Sequence, residues 1–239
     1  MIVRADLHVH SIGSADGSSS VSDLAAAAKA GGLDAVAVCD HDFFTVPPKN
    51  ESVLLIPGIE ITSENGHILG LFLEKPVSLP EGGTPSTLSA IEAIHAAGGL
   101  AVLAHPFAPQ KLPEEALKKL PVDAIETVNA RAAVKPGANE RAAGLAEALQ
   151  LPVTGGSDGH CAKEVGGAYT QFDVCECTIS SLKAALSAGK TNAVLSAPCL
   201  WRYKARSLLK KRRKDHGLIG TLYTLPYAVG CLARDLLHL

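Results

Sequence analysis

The 239-residue chain predicts an α/β fold in which a mainly parallel sheet closes into a barrel. Three observations carry that prediction. Strand-like and helix-like blocks alternate along most of the chain. The strand-like runs are apolar nearly throughout, as in sheets buried on both faces. The units are also too numerous for a short open sheet. Apolar residues make up 47% of the chain and charged residues 19%, enough to bury a sizeable core and too apolar for a disordered chain. Aromatics are only 4%, so the core must be built from Ala, Val, Leu and Ile. The length suits one large domain, or one domain with a short appendage.

The elements follow in order. Residues 2–8 (IVRADLH) read as a short strand. Ser22 is placed to cap a helix over Asp23–Ala30, stopped by Gly31 and Gly32. Leu33–Cys39 reads as a buried strand, Ser52–Ile61 as another interrupted at Pro57 and Gly58, and Ile68–Leu73 as a third. A helix over Pro85–Ala97 ends at Gly98 and Gly99, and Leu100–Ala104 returns as a strand. Then come a helix (Pro113–Leu120), a strand (Val122–Val128), a helix (Ala138–Leu149) and a short strand (Pro152–Gly155). Ser180–Ala188 and Asn192–Leu195 read as the last helix and strand.

Charge is unevenly spread. The formal net charge is −2, yet residues 200–216 hold eight Lys or Arg against the single acid Asp215, and residues 1–199 carry 13 basic and 22 acidic groups. The composition shift near Ala197 and Pro198 divides the chain into a barrel over 1–199 and a basic, then apolar, extension over 200–239. The apolar part, Gly217–Ala233, is shorter than the ~20 residues of a membrane-spanning helix and is broken by Pro226. The six cysteines form neither a C-x-x-C pair nor a small disulfide framework. The opening MIVRADLHVH has no signal-peptide apolar region. The expectation is a cytoplasmic protein with reduced thiols.

Metal-capable residues fall where the strands end. His8 and His10 close the first strand, and Asp40, His41 and Asp42 the second; Glu60 ends the third. His105 ends the Leu100–Ala104 strand, and Asp158 and His160 follow the Pro152–Gly155 strand. In a parallel barrel such ends gather on one face, where active sites are built. His67 precedes its strand, which therefore runs antiparallel or enters from the same face. His8 and His10 are two apart, so both point to one side of an extended strand and can reach one ion. Imidazole and carboxylate together suit Zn, Mn and Fe. Only His95, His216 and His238 fall outside the set. Burying so many polar groups without a cation would cost a few kcal/mol per unpaired group, about 2–7 on transfer scales.

The ordered motifs Asp6-Leu7-His8-Val9-His10, Asp16-Gly17, Asp40-His41-Asp42, Gly58-Ile59-Glu60, Gly66-His67-Ile68, Ala104-His105-Pro106 and Gly156-Ser157-Asp158-Gly159-His160 resemble the PHP (polymerase and histidinol phosphatase) family over residues 3–195. The segment from Gly155 to Val174 is similar to the carboxyl-terminal part commonly joined to it. The resemblance implies a distorted (β/α)7 barrel with a C-terminal helical extension and a site for two or three divalent ions. It implies one ion on His8, His10, Glu60 and Asp158, a second on Asp16, His41 and His160, and a third sharing Glu60 with His67 and His105. Several family members carry His where this chain has Asp16, a change that favours harder ions. Asp16 also suits a turn before Gly17, and His67 a surface position. Asp40 is a candidate for orienting a ligand histidine, and Asp6 is left outside the ligand set.

Asn129 and Arg131 follow the Val122–Val128 strand and should share its face. The family often has a similar Asn there. Arg131 could grip a phosphate in bidentate fashion or stand as a surface arginine, Asp42 or a metal-bound water is the candidate proton donor, and Lys163 is a weaker candidate. The implied activity is metal-dependent hydrolysis of a small phosphomonoester, such as a nucleotide or histidinol phosphate, since no polymerase body follows the barrel. The alternatives are a nuclease on short oligonucleotides, or a non-catalytic module. Residues 200–216, basic with two aromatics, are a candidate contact for nucleic acid or anionic membrane; a helix pair packed on the barrel accounts for the same residues.

Overall fold

The computed structural model describes residues 1–49, 52–79, 83–108 and 113–237. Among the described residues nine strands form one sheet in the order β7-β6-β5-β4-β3-β2-β1-β8-β9. The strands are β1 (Ile2–Val9), β2 (Ala35–Val38), β3 (Leu54–Ser63), β4 (Gly66–Leu71), β5 (Leu100–Leu103), β6 (Ala124–Asn129), β7 (Val153–Gly156), β8 (Ala168–Asp173) and β9 (Thr191–Leu195). β1, β2 and β3 run parallel, as do β5, β6 and β7; β4 is antiparallel to both neighbours. The sheet curls until β7 returns to β1, where the His10 amide donates to the Gly159 carbonyl (2.8 Å), and to β8, where Thr170 Oγ1 exchanges hydrogen bonds with the Gly155 backbone. The result is the distorted, nearly closed α/β barrel that the motifs implied.

The interior is filled by small and branched side chains, as the scarcity of aromatics required: Ala5, Leu7, Ala37, Ile56, Leu69 and Val102 among them. Helices cover the outside. α1 (Val21–Ala30) packs Leu24 and Ala28 on Val9 and Val36; α2 (Thr87–Ala96) and α4 (Ala138–Leu149) bury Ile91, Ile94 and Leu145 against Ile59, Leu103 and Ile125. α3 (Glu114–Leu117) is a single turn, and α5 (Ile179–Ser187) covers the β1–β8 side through Leu182 and Leu186.

Most elements lie within a few residues of their predicted bounds. The α1 cap is Ser20, not Ser22: its hydroxyl accepts from the Asp23 amide and Asp23 accepts from the Ser20 amide, a reciprocal capping box. β3 continues through Pro57 and Gly58, because the Pro57 position needs no amide donor for its ladder with β2 and β4. β8 was not anticipated. Its short alternation of buried and half-exposed residues carries little signal, and its place is fixed by pairing with β1 and β9.

The extension forms α6 (Trp201–Leu237), broken at Gly217, whose φ of 61° and ψ of −146° no helix accepts. It is therefore a hairpin of two helical arms, 201–216 and 218–237. The Asp235 carboxylate accepts from the Trp201 and Arg202 amides, capping the first arm with the end of the second. His238 and Leu239 lie outside the described residues.

Candidate metal centre

The strand ends gather their ligand-type side chains as expected. On β1, Val9 faces outward under α1, so His8 and His10 on either side of it face inward. His41 follows β2 and bridges to Glu60 of β3. His105 follows β5, and Asp158 and His160 follow β7. Antiparallel β4 settles the place of His67: it opens that strand opposite Thr62, at the end where its neighbours finish. Asp16, in the loop after β1, completes the ring.

The distances are those of a shared site. His8 Nε2 and His10 Nε2 lie 3.4 and 3.3 Å from Glu60 Oε2, and 3.8 and 3.4 Å from Asp158 Oδ1. His67 Nδ1 and His105 Nε2 lie 2.9 and 3.0 Å from Glu60 Oε1, and His41 Nδ1 lies 2.9 Å from Glu60 Oε2. Asp16 Oδ2 is 3.3 Å from His160 Nε2 and 3.8 Å from His41 Nε2. Donors about 2.05 Å from a tetrahedral ion sit roughly 3.3 Å from one another, so the His10, Glu60 and Asp158 edges have the right length. Glu60 contacts five histidines, His8, His10 and His41 through Oε2 and His67 and His105 through Oε1.

A cation fits this donor set. His8 Nε2, His10 Nε2, Asp16 Oδ1, Glu60 Oε2, His67 Nδ1 and His105 Nδ1 are all buried without a hydrogen bond of good geometry, the close histidine–Glu60 contacts being ion pairs. Orphans of this kind are rare in folded proteins and costly, and six in one place call for an ion. Three-residue groups (His10, His41 and His160; His8, His10 and Asp158; His41, Glu60 and His67; and His8 and His105 with Glu126) hold their ligand atoms within 4.8 Å of one another. The electrostatics agree. Burial opposes charge on His8, but the carboxylates of Glu126, Glu60 and Asp158 outweigh it and hold its pKa well above the usual imidazole value. His41 is likewise raised to about 9 against burial, chiefly by Glu60. Burial, with His160 and His41 beside it, pushes His10 down to about 3, leaving a neutral ring ready to bind metal. Burial disfavours ionised Glu60 and Asp158, yet the surrounding histidines hold both well below the carboxylate range.

A second layer holds these groups. Glu126 of β6, which the sequence reading missed, accepts from His8 Nδ1 (2.9 Å), from the His105 amide (2.9 Å) and from Asn129 Nδ2 (3.0 Å). Its signal was a lone acid inside an apolar strand. Asn129 also reaches Asp158 Oδ2 at 3.4 Å. Asp40 accepts from the Ser11 and Ser14 amides and hydroxyls and from Thr45; Ser14 Oγ in turn sits 3.2 Å from His10 Nδ1. Asp40 thus acts on His10 through Ser14. Asp6 is buried, accepts from the His8, Ser157 and Gly166 amides, and is pushed up to about 6 by burial. Gly156 lets β7 lie against His8, because a methyl group there would overlap His8 Cβ. His105 (φ 27°) and Asp158 (φ 54°) occupy left-handed backbone, strain of a kind that collects at functional sites.

A cavity of about 370 Å³ opens over the site, lined by His41, Glu60, His67, His105, Asp158 and His160 together with the cations Arg131, Lys135 and Lys204. Arg131 lines it but is held elsewhere: its NH2 nitrogen reaches both Glu164 carboxylate oxygens at 2.8 and 3.1 Å, and its NH1 nitrogen donates to Ser207 of the hairpin (3.0 Å). Asp42 is exposed, accepts from the Thr62 amide (2.7 Å) and is not among the lining residues. Lys163 is exposed and lines a different pocket. Lys135 donates to the Phe107 carbonyl (2.8 Å) and Lys204 to the Arg131 carbonyl (3.2 Å); neither has a carboxylate partner among the described residues, so each ammonium keeps donors for a ligand.

The chain is similar to known proteins. Residues 6–97 match the family model described as PHP domain, and residues 136–191 match the one described as PHP-associated. The chain is 32% identical over 145 residues to the uncharacterized protein MJ1587 of Methanocaldococcus jannaschii, covering 54% of this chain and 82% of that protein. The chain belongs to the PHP domain family. The PHP barrel resembles that of a two-domain protein from Bacteroides vulgatus containing a predicted PHP-like metal-dependent phosphoesterase (TM-score 0.64, 22% identity, 82% of this chain and 65% of that chain). It also resembles the lesion-specific endonuclease PfuEndoQ of Pyrococcus furiosus (TM-score 0.54, 17% identity, 81% and 58%). The chain thus spans somewhat under two thirds of those two structures. At such identities the likeness is one of fold.

Proposed function

We propose that this PHP protein hydrolyses a small phosphomonoester, using two or three divalent ions, Zn, Mn or Fe, three of them making the full trinuclear centre. The observation that carries the reading is Glu60, which lies between His8 and His10 on one side and His67 and His105 on the other. His8, His10, Glu60 and Asp158 would hold one ion; Asp16, His41 and His160 a second; His67 and His105, sharing Glu60, a third. Ions bound there supply Lewis acidity, activating water and offsetting charge on the phosphoryl group. The chain's own residues do the rest. Glu126 and Asp40 fix the rings of His8 and His10, and the cationic wall of Lys135 and Lys204 orients the phosphate against the site. Arg131 contributes its charge from the same wall while anchored to Glu164. Asp42, on the rim, is the proton donor only if a bound substrate reaches it.

On this reading residues 1–199 are the catalytic unit and 200–239 an appendage that lends Lys204. No described helix is long and apolar enough to cross a membrane. A cytoplasmic setting suits the six free cysteines. The test is phosphate release from a panel of small phosphomonoesters and short oligonucleotides, with protein reconstituted in Mn or Zn and a His41→Ala control. Release from a monoester, lost in the control, supports the proposal. Cleavage of oligonucleotides alone replaces it with a nuclease. Silence across the panel with ions bound favours a non-catalytic module.

A further inference from the structure

The hairpin shows two features that the catalytic reading does not use. Its second arm carries Leu218, Leu222, Leu225, Val229, Leu232 and Leu236, which are 44% to 80% exposed. Their spacing of four, three, four, three and four residues places them in one narrow stripe on a helix. The opposite face, through Ala228 and Cys231, packs on Ala205 of the first arm. The stripe therefore faces away from its own hairpin. An aligned row of exposed aliphatics of this length is unlike the scattered apolar residues of an ordinary surface.

The second feature is charge. Lys210, Lys211, Arg212, Arg213 and Lys214 form an uninterrupted cationic run, and every residue from 210 to 219 is exposed. The run leads directly into the turn at Gly217 and the start of the stripe. Residues 1–199 carry nine more acidic than basic groups, so the cationic character is confined to the hairpin. Contacts at its base join it to the barrel: Arg131 with Ser207, Lys204 with the Arg131 carbonyl, and Lys210 with the Gly17 carbonyl.

We infer that the hairpin docks the protein on an anionic lipid surface, with the 211–214 run among the headgroups and the 218–236 stripe lying in the interface. Only that partner matches both features. A nucleic acid would meet the cations and leave the stripe in water. A second copy that covered the stripe with its own stripe would set two cationic hairpins together. An arm of 20 residues spans about 30 Å lying flat, and an amphipathic helix with adjacent basic residues binds in this way without crossing the bilayer. The inference does not depend on the chemistry of the metal site.

The test is flotation of the intact, metal-loaded protein with phosphatidylcholine vesicles, with and without phosphatidylglycerol. The variants are K211Q/R213Q/K214Q and L222Q/V229Q, whose positions are exposed and outside the catalytic machinery. Binding to the anionic vesicles is expected, with little to the neutral ones. Each basic residue near an anionic leaflet contributes about fivefold, so the charge variant should bind on the order of a hundredfold more weakly. The apolar variant should lose about tenfold or more. Both variants should keep the circular dichroism spectrum of the parent. Absence of binding to anionic vesicles overturns the inference, as does equal binding by parent and both variants. A dimer abolished by L222Q/V229Q, without vesicle binding, would assign the stripe to a second copy. Binding to short duplexes lost in the charge variant, without vesicle binding, would assign the run to nucleic acid.

Discussion

Glu126 Oε1 lies 2.9 Å from His8 Nδ1, while the other nitrogen of that ring faces Glu60 and Asp158. A carboxylate accepts the Nδ1 proton and so leaves Nε2 with its lone pair aimed at the centre of the site. Glu126→Ala should therefore lower metal affinity by about 10–100-fold without removing a ligand. Titration calorimetry with Zn or Mn measures this. Unchanged affinity would reduce Glu126 to a packing residue.

Glu60 is the group on which the clusters converge. Glu60→Ala should abolish phosphate release and lose at least one ion per chain, read by elemental analysis of the purified protein. A fully active variant with full metal content would sink the assignment of this site.

Metal removal should destabilise the fold as well as silence it, because six buried polar atoms then lack hydrogen bonds of good geometry. An ion at a hundred times its Kd stabilises the native state by about 2.7 kcal/mol. The melting temperature should fall on chelation and recover on adding Mn or Zn. Identical melting curves with and without chelator would contradict the fit of the site to a cation.

Lys204, on the hairpin, lines the same cavity as the ligand cluster. Lys204→Ala should raise KM for the preferred phosphoester about tenfold, the weight of a charge-assisted hydrogen bond, with metal content unchanged. A variant with parental KM would remove the hairpin from the substrate wall.

Arg131 and Glu164 form a buried ion pair in which the guanidinium also holds Ser207. Glu164→Ala strands a buried cation and should cost about 3–5 kcal/mol in denaturant unfolding. The double variant Arg131→Met with Glu164→Leu should recover much of that loss. If Glu164→Ala unfolds like the parent, the pair does not anchor the hairpin.

The sequence by itself determined the alternation of strands and helices, the barrel class and nearly all the ligand-type residues of the site. These are local properties: buried strands read as apolar runs, caps and glycines mark their ends, and His, Asp and Glu at strand ends must meet if the strands are parallel. The tertiary structure decided the rest. Only pairing showed that β4 runs backwards, which puts His67 beside Glu60, and only pairing with β1 and β9 made a strand of residues 168–173. Glu126 and Asp40 became supports because of what stands within 3 Å of them. Arg131 is committed to Glu164, 33 residues away, and Lys204 reaches the cavity because the hairpin folds back over it. A local pattern records which groups a strand end offers, whereas hydrogen-bond and ion-pair partners depend on distances that only the closed barrel sets.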